Sequence, residues 1–263
     1  METQAVLALL RQTATDVITP RFRALAEGEV FEKDHPGDLV TVADRESEEV
    51  ITAALRRAYP DAMILGEEAA ASDPSLLAAF TTAEHSFTID PIDGTWNFVH
   101  GKPDHAVMVA ELRSGEVVRS WIWQPEHQLA FVAEKGAGAY RNDVRLPNLQ
   151  VAEDRTTWRG ISSQPQIRDG RFAGLSQLQD TWFCAGVDYS HLAAGDVDFI
   201  VFAHAKPWDH APGQLLIGEV GGIIQRPDGS TYRPADPRPW LIGAASPAVA
   251  DGVRAALGDA IGS

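Results

Sequence analysis

"FTIDPIDGTWNF", residues 87–98, sets two aspartates three apart directly after the apolar run Phe87–Ile89. An apolar run that ends in acids reads as a buried strand delivering polar groups to its carboxyl end, where open α/β folds bind ligands. Asp90-Pro91-Ile92-Asp93 has the composition of a type I turn, with Asp first and Pro second. Such a turn would gather both carboxylates and the Ile92 carbonyl on one side. That is a set of hard oxygen donors of the kind Mg2+ takes. A buried carboxylate pair without a cation would be costly. Gly94 lets backbone approach closely, and a helix starting near Thr95 would add N–H groups for an anion beside the metal. Taken alone, Asp90 and Asp93 read as solvated turn and cap residues.

Three further acidic sites stand in comparable places. Glu67 and Glu68 follow the apolar run "MIL" and Gly66; Asp209 follows Trp208 at the start of a helical stretch, 210–220; Asp44 ends "LVTVAD" before "RESEEV". Singly, each reads as an acid at a helix start or an N-cap. Together they are four strand-to-helix junctions, each carrying an acid. Two or three Mg2+ ions bridged by such carboxylates would neutralise phosphate oxygens, activate a water and stabilise a leaving alkoxide.

The remaining sequence bounds this reading. The formal net charge of the 263 residues is -15, which repels nucleic-acid backbones but leaves room for a phosphorylated small molecule that a metal receives. Cys184 is the single cysteine, so no intramolecular disulfide exists. The opening METQAVLALLRQ does not read as a signal peptide, and no run reaches the length of a membrane helix. The expectation is a cytoplasmic protein.

Residues 3–18 place Val6, Leu9, Leu10 and Val17 at helical spacing, and 45–60 reads as a second helix. "AMIL" (62–65) and "SFTI" (86–89) read as short buried strands. From His105 to Tyr140, β-rich runs separated by turn signals predict an antiparallel meander. "NDVRLPNLQ" (142–150) reads as a polar connection, and a second α/β segment runs to the end, with a helix closed by Gly221–Gly222. The expected class is α+β, with residues 1–147 carrying the metal motifs and meander and 148–263 completing the site. Trp121 and Trp123 alternate on one predicted strand and read as core or dimer surface, and the histidines show no zinc spacing.

In order, "KDHPGDLVTVAD" (33–44), "ILGEE" (64–68), "IDPIDGTWNF" (89–98) and "PWDHAPG" (207–213) with the later Gly221–Gly222 resemble the motifs of the inositol monophosphatase family. These are Mg2+-dependent, often lithium-inhibited phosphatases of sugars and polyols, with a layered αβαβα sandwich fold, usually dimeric. The resemblance implies that Glu67, Asp90 and the Ile92 carbonyl hold a first Mg2+. It implies that Asp90, Asp93 and Asp209 hold a second, and that Glu67 helps with a weaker third. Thr95 and Glu67 would orient and deprotonate the attacking water, with Asp44 behind them. The Gly94 and Thr95 amides would cradle phosphate, Lys33 would face the outer metal site, and Asp93, Cys184, Ala185 and Asp209 would line the substrate. In the inositol-specific members a glutamate that binds ring hydroxyls lies six residues before the tryptophan of the W-D motif. Here that position is Phe202, and Phe183-Cys184-Ala185 departs from the usual small residues.

The resulting expectation is a phosphomonoesterase acting through metal-activated water on a small phosphorylated metabolite. Histidinol phosphate, a sugar or polyol phosphate and a nucleotide bisphosphate are the candidates. The other reading is a non-catalytic regulatory or moonlighting protein of the same fold.

Overall fold

The computed structural model describes residues 1–33 and 37–262. Helix α1 (Thr3–Thr13) buries Val6, Leu7 and Leu10, and a π turn over Ala14–Ile18 carries the chain on. The single helix expected over 3–18 therefore changes winding partway, and the π turn brings Val17 and Ile18 to the buried side. Strands β1 (Val30–Glu32) and β2 (Leu39–Thr41) pair antiparallel, and β2 runs straight into α2 (Val42–Ala58). Positions 34–36 of the expected Lys33–Asp44 motif lie outside the described residues. Thr41 caps α2, and the Asp44 carboxylate at the third helical position accepts a hydrogen bond from the Thr41 amide. Asp44 is thus the inner partner of a capping box rather than the cap.

Next comes β3 (Met63–Gly66), then the short helices α3 (Glu67–Ser72) and α4 (Ser75–Thr82), which return the chain to β4 (His85–Asp93), parallel to β3. After α5 (Thr95–Val99), strands β5 (Ala106–Arg113), β6 (Glu116–Gln124), β7 (Leu129–Glu134), β8 (Gly138–Arg141) and β9 (Val144–Arg145) add on antiparallel in sequence order. The expected meander is present. The connection expected over 142–150 contributes the two-residue β9 to its edge.

A second sheet joins β10 (Gly160–Ser162), β11 (Phe199–Phe202), β12 (Ile223–Gln225) and β13 (Leu241–Ala244) in the order β10-β11-β13-β12. The helices of this part are α6 (Pro165–Arg168), α7 (Ala185–Ala194), α8 (Pro207–Gly218) and α9 (Pro247–Leu257).

The strand period of two decides the layering. On β5, Val107 and Val109 face α1 and α2, in a core with Leu10, Ile51, Phe87 and Trp121. Met108 and Ala110 face the other way, into a core shared with Leu192 of α7, Leu216 of α8 and Ile200 of the second sheet. Beyond that sheet, Phe199, Val201 and Ile242 meet Val249, Val253 and Leu257 of α9. Five layers result, helix–sheet–helix–sheet–helix, an α+β sandwich in which α8 and β4 point their polar ends into one crevice.

Candidate metal and phosphoester site

Strand β4 does not turn at Asp90, as its composition predicts. It stays paired with β5 through Asp93, with Asp90 opposite Met108, Asp93 opposite Ala106, and a register shift between them. That irregularity does the work expected of the turn, since it leaves residues 91 and 92 unpaired and carries Asp93 forward. Gly94 then adopts φ +82°, the left-handed region that favours glycine, and α5 begins at Thr95.

Four carboxyl groups converge from different elements: Glu67 opens α3, Asp90 and Asp93 end β4, and Asp209 sits in the first turn of α8. Helix α8 starts at Pro207, with Lys206 as its cap, so Asp209 is inside the helix and free to face the crevice. Asp90 is driven well above the usual carboxylate range by burial, and then by the charges of Glu67, Asp93 and Asp209. Its Oδ1 is buried with no hydrogen-bond partner. Asp209 is raised in the same way, by burial and then by Asp93 and Glu67, against the opposing pull of Lys206 and Lys33.

Two of the four are held by donors. Lys33 Nζ stands 2.7 Å from both Glu67 Oε1 and Glu68 Oε1. Burial works against the Lys33 charge, but the two glutamates outweigh it and hold its pKa above the ordinary value. Burial pushes Glu67 up to about 7, with the Lys33 ammonium opposing. Asp93 Oδ2 accepts from the Cys184 thiol at 3.0 Å and from the Gly186 amide at 2.6 Å. Burial still outweighs these bonds and raises Asp93.

The water-activating candidates lie alongside. The Thr95 hydroxyl is 3.2 Å from Asp44 Oδ1 and 2.9 Å from the Ile92 carbonyl, so it can donate to either. Burial raises Asp44 to about 6, against the hydrogen bonds it accepts from Thr41. The Ile92 carbonyl expected to face a metal is therefore within hydrogen-bond reach of Thr95. The Gly94 amide expected to cradle phosphate turns toward the Asp93 carboxylate. Cys184 and Ala185 stand beside Asp93 as the N-cap and first residue of α7. Phe202 packs its ring against Tyr189 and His210, at centroid distances of 5.2 and 4.8 Å, so no hydroxyl-reading carboxylate occupies that position.

Among the described residues no three His, Cys, Asp or Glu side chains stand in coordinating geometry. Glu67 is turned to Lys33, and Asp93 to Cys184 and Gly186. The donor set nevertheless fits a hard divalent cation: it is all oxygen, mutually repelling, and includes the buried, unpartnered Asp90 Oδ1.

Three supporting residues escape the sequence reading. Glu48, buried on α2, accepts from the amides of Glu68 and Ala69 at 2.8 Å each and so fixes the start of α3. It follows Asp44 by four residues, on the same helical face, and that spacing was the available signal. Asn97 donates from Nδ2 to the carbonyls of Asp104 and Trp182, both at 2.7 Å. Asp188, buried on α7, accepts from the Trp182 amide at 2.8 Å.

Known proteins resemble this chain in sequence and in fold. The inositol monophosphatase family model matches residues 2–261. An inositol-1-monophosphatase of Mesorhizobium japonicum is 33% identical over 207 residues, 74% of each chain. A Nus factor SuhB of Pseudomonas aeruginosa is 34% identical over 216 residues, 76% of each. The solved structure of a Ca-bound IMPase family protein from Staphylococcus aureus has the same fold, with TM-score 0.79 at 20% identity over 97% of this chain and 94% of that one. With the family model matching almost end to end and the acids of its motifs drawn into one crevice, the chain belongs to the inositol monophosphatase family.

Proposed function

We propose that this chain is a Mg2+-dependent phosphomonoesterase hydrolysing a small phosphorylated metabolite. The single observation that carries the reading is the convergence of Glu67, Asp90, Asp93 and Asp209, four carboxyl groups gathered around an unpartnered buried oxygen, with Asp90 and Asp209 raised by the charges of the others. Such a cluster is stable in its ionised form only with cations among its members. The family is metal-dependent. Glu67, Asp90, Asp93 and Asp209, with the Ile92 carbonyl, are the residues that would hold the ions. Bound there, two or three Mg2+ would supply charge for the phosphate oxygens, an acidified water and a stabilised leaving group.

The chain's own groups do the rest. Thr95 directs its hydroxyl proton to Asp44 Oδ1 or the Ile92 oxygen, leaving its lone pairs to orient the water. Glu67 takes the water's proton at its carboxylate. Asp44 holds Thr95 in place from behind. No side chain forms a bond to phosphorus in this scheme.

The test is phosphate release from histidinol phosphate, inositol 1-phosphate, fructose 1,6-bisphosphate, glycerol 2-phosphate and 3'-phosphoadenosine 5'-phosphate, with and without Mg2+. Asp93→Asn and Asp209→Asn should abolish it and remain folded. Wild-type rates in either variant would sink the assignment. The similarity to a Nus factor SuhB favours a second reading, in which the fold serves as a regulatory protein. Cellular function retained in an Asp93→Asn strain would select that reading.

A further inference from the structure

Phe183 is anomalous three times over. It holds φ +55°, a region where a bulky side chain is strained. The residue is 49% exposed. And among the described residues no aromatic or cationic group stacks on its ring. Other aromatic side chains of the chain differ. Trp182 stacks on His191 with centroids 3.7 Å apart, and Trp96 stacks on His100 at 3.9 Å with Lys102 Nζ 4.5 Å from its centroid.

The backbone around Phe183 is fixed from several sides. The Trp182 amide donates to Asp188 Oδ1, the Trp182 carbonyl accepts from Asn97, and the Phe183 amide donates to Thr181 Oγ1 at 3.1 Å. Next in the chain, the Cys184 thiol donates to Asp93, and a β-carbon added to Gly94 would lie 3.0 Å from Cys184 Cβ. The strap carrying Phe183 is therefore clamped onto the junction where β4 delivers its acids. With about half of its surface exposed and no ring or cation stacked on it among the described residues, packing does not account for a strained phenylalanine there, which leaves a group outside the chain to cover the ring.

We infer that Phe183 is a specificity-determining platform at the mouth of the site. It would receive a flat heteroaromatic ring on the alcohol part of the phosphomonoester, an imidazole or a nucleobase, in preference to a polyol. The inference rests on the proposed hydrolytic reading for its substrate class, but its test does not require turnover. Stacking on an aromatic side chain is commonly worth about tenfold or more in binding per ring.

The affinities of AMP, histidinol phosphate and ribose 5-phosphate are measured by calorimetry in Mg2+, and their KM and kcat by phosphate release. The proteins are wild type, Phe183→Ala and Phe183→Trp, with melting curves to show that each is folded. The expected result is wild-type preference for one or both ring-bearing esters over ribose 5-phosphate, shrinking on the order of tenfold in Phe183→Ala and returning in Phe183→Trp. The loss should fall on KM rather than kcat. Whichever ester loses more identifies imidazole or purine as the ring. A preference ratio that does not move, or a variant whose only change is dissociation of an oligomer, overturns the inference. A ratio that depends on residue 183 without phosphate release from any ester keeps the platform and sinks the hydrolytic reading instead.

Discussion

The Glu48 carboxylate fills the space that a side chain on Gly66 would need: a β-carbon there would stand 2.2 Å from Glu48 Cδ. The two residues hold β3 and α2 together where Glu67 enters the crevice. Gly66→Ala must displace Glu48, and with it the two hydrogen bonds that fix the Glu68 and Ala69 amides. The expected cost is about 2–4 kcal/mol, from overpacking plus a displaced buried charge. Denaturant unfolding measures it. A Gly66→Ala protein as stable as wild type would show that Glu48 moves aside freely.

Asp90 should trade stability for function. Its carboxyl lies among Glu67, Asp93 and Asp209, which all oppose its ionisation. Asp90→Asn removes one of the repelling charges, so the metal-free variant should melt higher than the metal-free wild type. The same change removes an oxygen proposed to hold the ions, so added Mg2+ should raise its Tm much less. For wild type, a cation at a hundred times its Kd adds about 2.7 kcal/mol. Equal Mg2+-induced shifts in the two proteins would remove Asp90 from the ligand set.

Metal-free stability should fall as pH rises from about 4 to 7. Asp44 is raised from 3.8 to about 6 and Glu67 from 4.5 to about 7, so between those values the folded state binds more protons than the unfolded one. Stability contributed by these protons is fully present below the unfolded pKa and lost as pH passes the folded one. For Asp44 alone the linkage amounts to about 3 kcal/mol. Divalent cation should flatten or reverse the slope, because it favours the ionised carboxylates. Calorimetry with chelator and with Mg2+ checks both statements, and a chelated protein that gains stability across this window contradicts them.

Cys184 should be chemically quiet. Burial, and then the adjacent Asp93 charge, hold its thiol well above the ordinary range, and its proton is committed to Asp93 Oδ2. The thiolate is the reactive form. Alkylation at pH 8 should therefore run on the order of a hundredfold or more slower in the folded protein than in denaturant. A native rate close to the denatured one would place the thiol outside the crevice.

Much of this site was legible because its acids sit at the ends of apolar runs. Asp90, Asp93, Glu67 and Asp209 could each be assigned to a junction from the pattern alone, and the meander followed from its alternation. What the pattern missed were relations across the chain. The Asp90–Asp93 step keeps its pairing with β5 because a neighbouring strand is present to pair with, overriding a local turn preference. Asp44, in the capping box behind Thr41, turns its other oxygen to Thr95, 51 residues away. Asn97 and Asp188 look like ordinary helix residues until both are seen bonded to the backbone of Trp182.

Phe183 supplies the last prediction, a stability measurement that complements its binding test. At φ +55° a phenylalanine is strained by roughly 1–2 kcal/mol, which glycine would not incur. Glycine adds back roughly 0.5–1 kcal/mol through the freedom it gives the unfolded chain. The half-exposed ring contributes little packing, so Phe183→Gly should leave the Tm unchanged or raise it slightly. A structural phenylalanine would behave oppositely, since truncating a buried aromatic typically costs about 3–5 kcal/mol. Thermal unfolding of Phe183→Gly beside wild type separates the two. A fall of several degrees would mean that the ring serves the fold, and an unchanged or higher Tm means that the strain is kept for what the ring meets in solution.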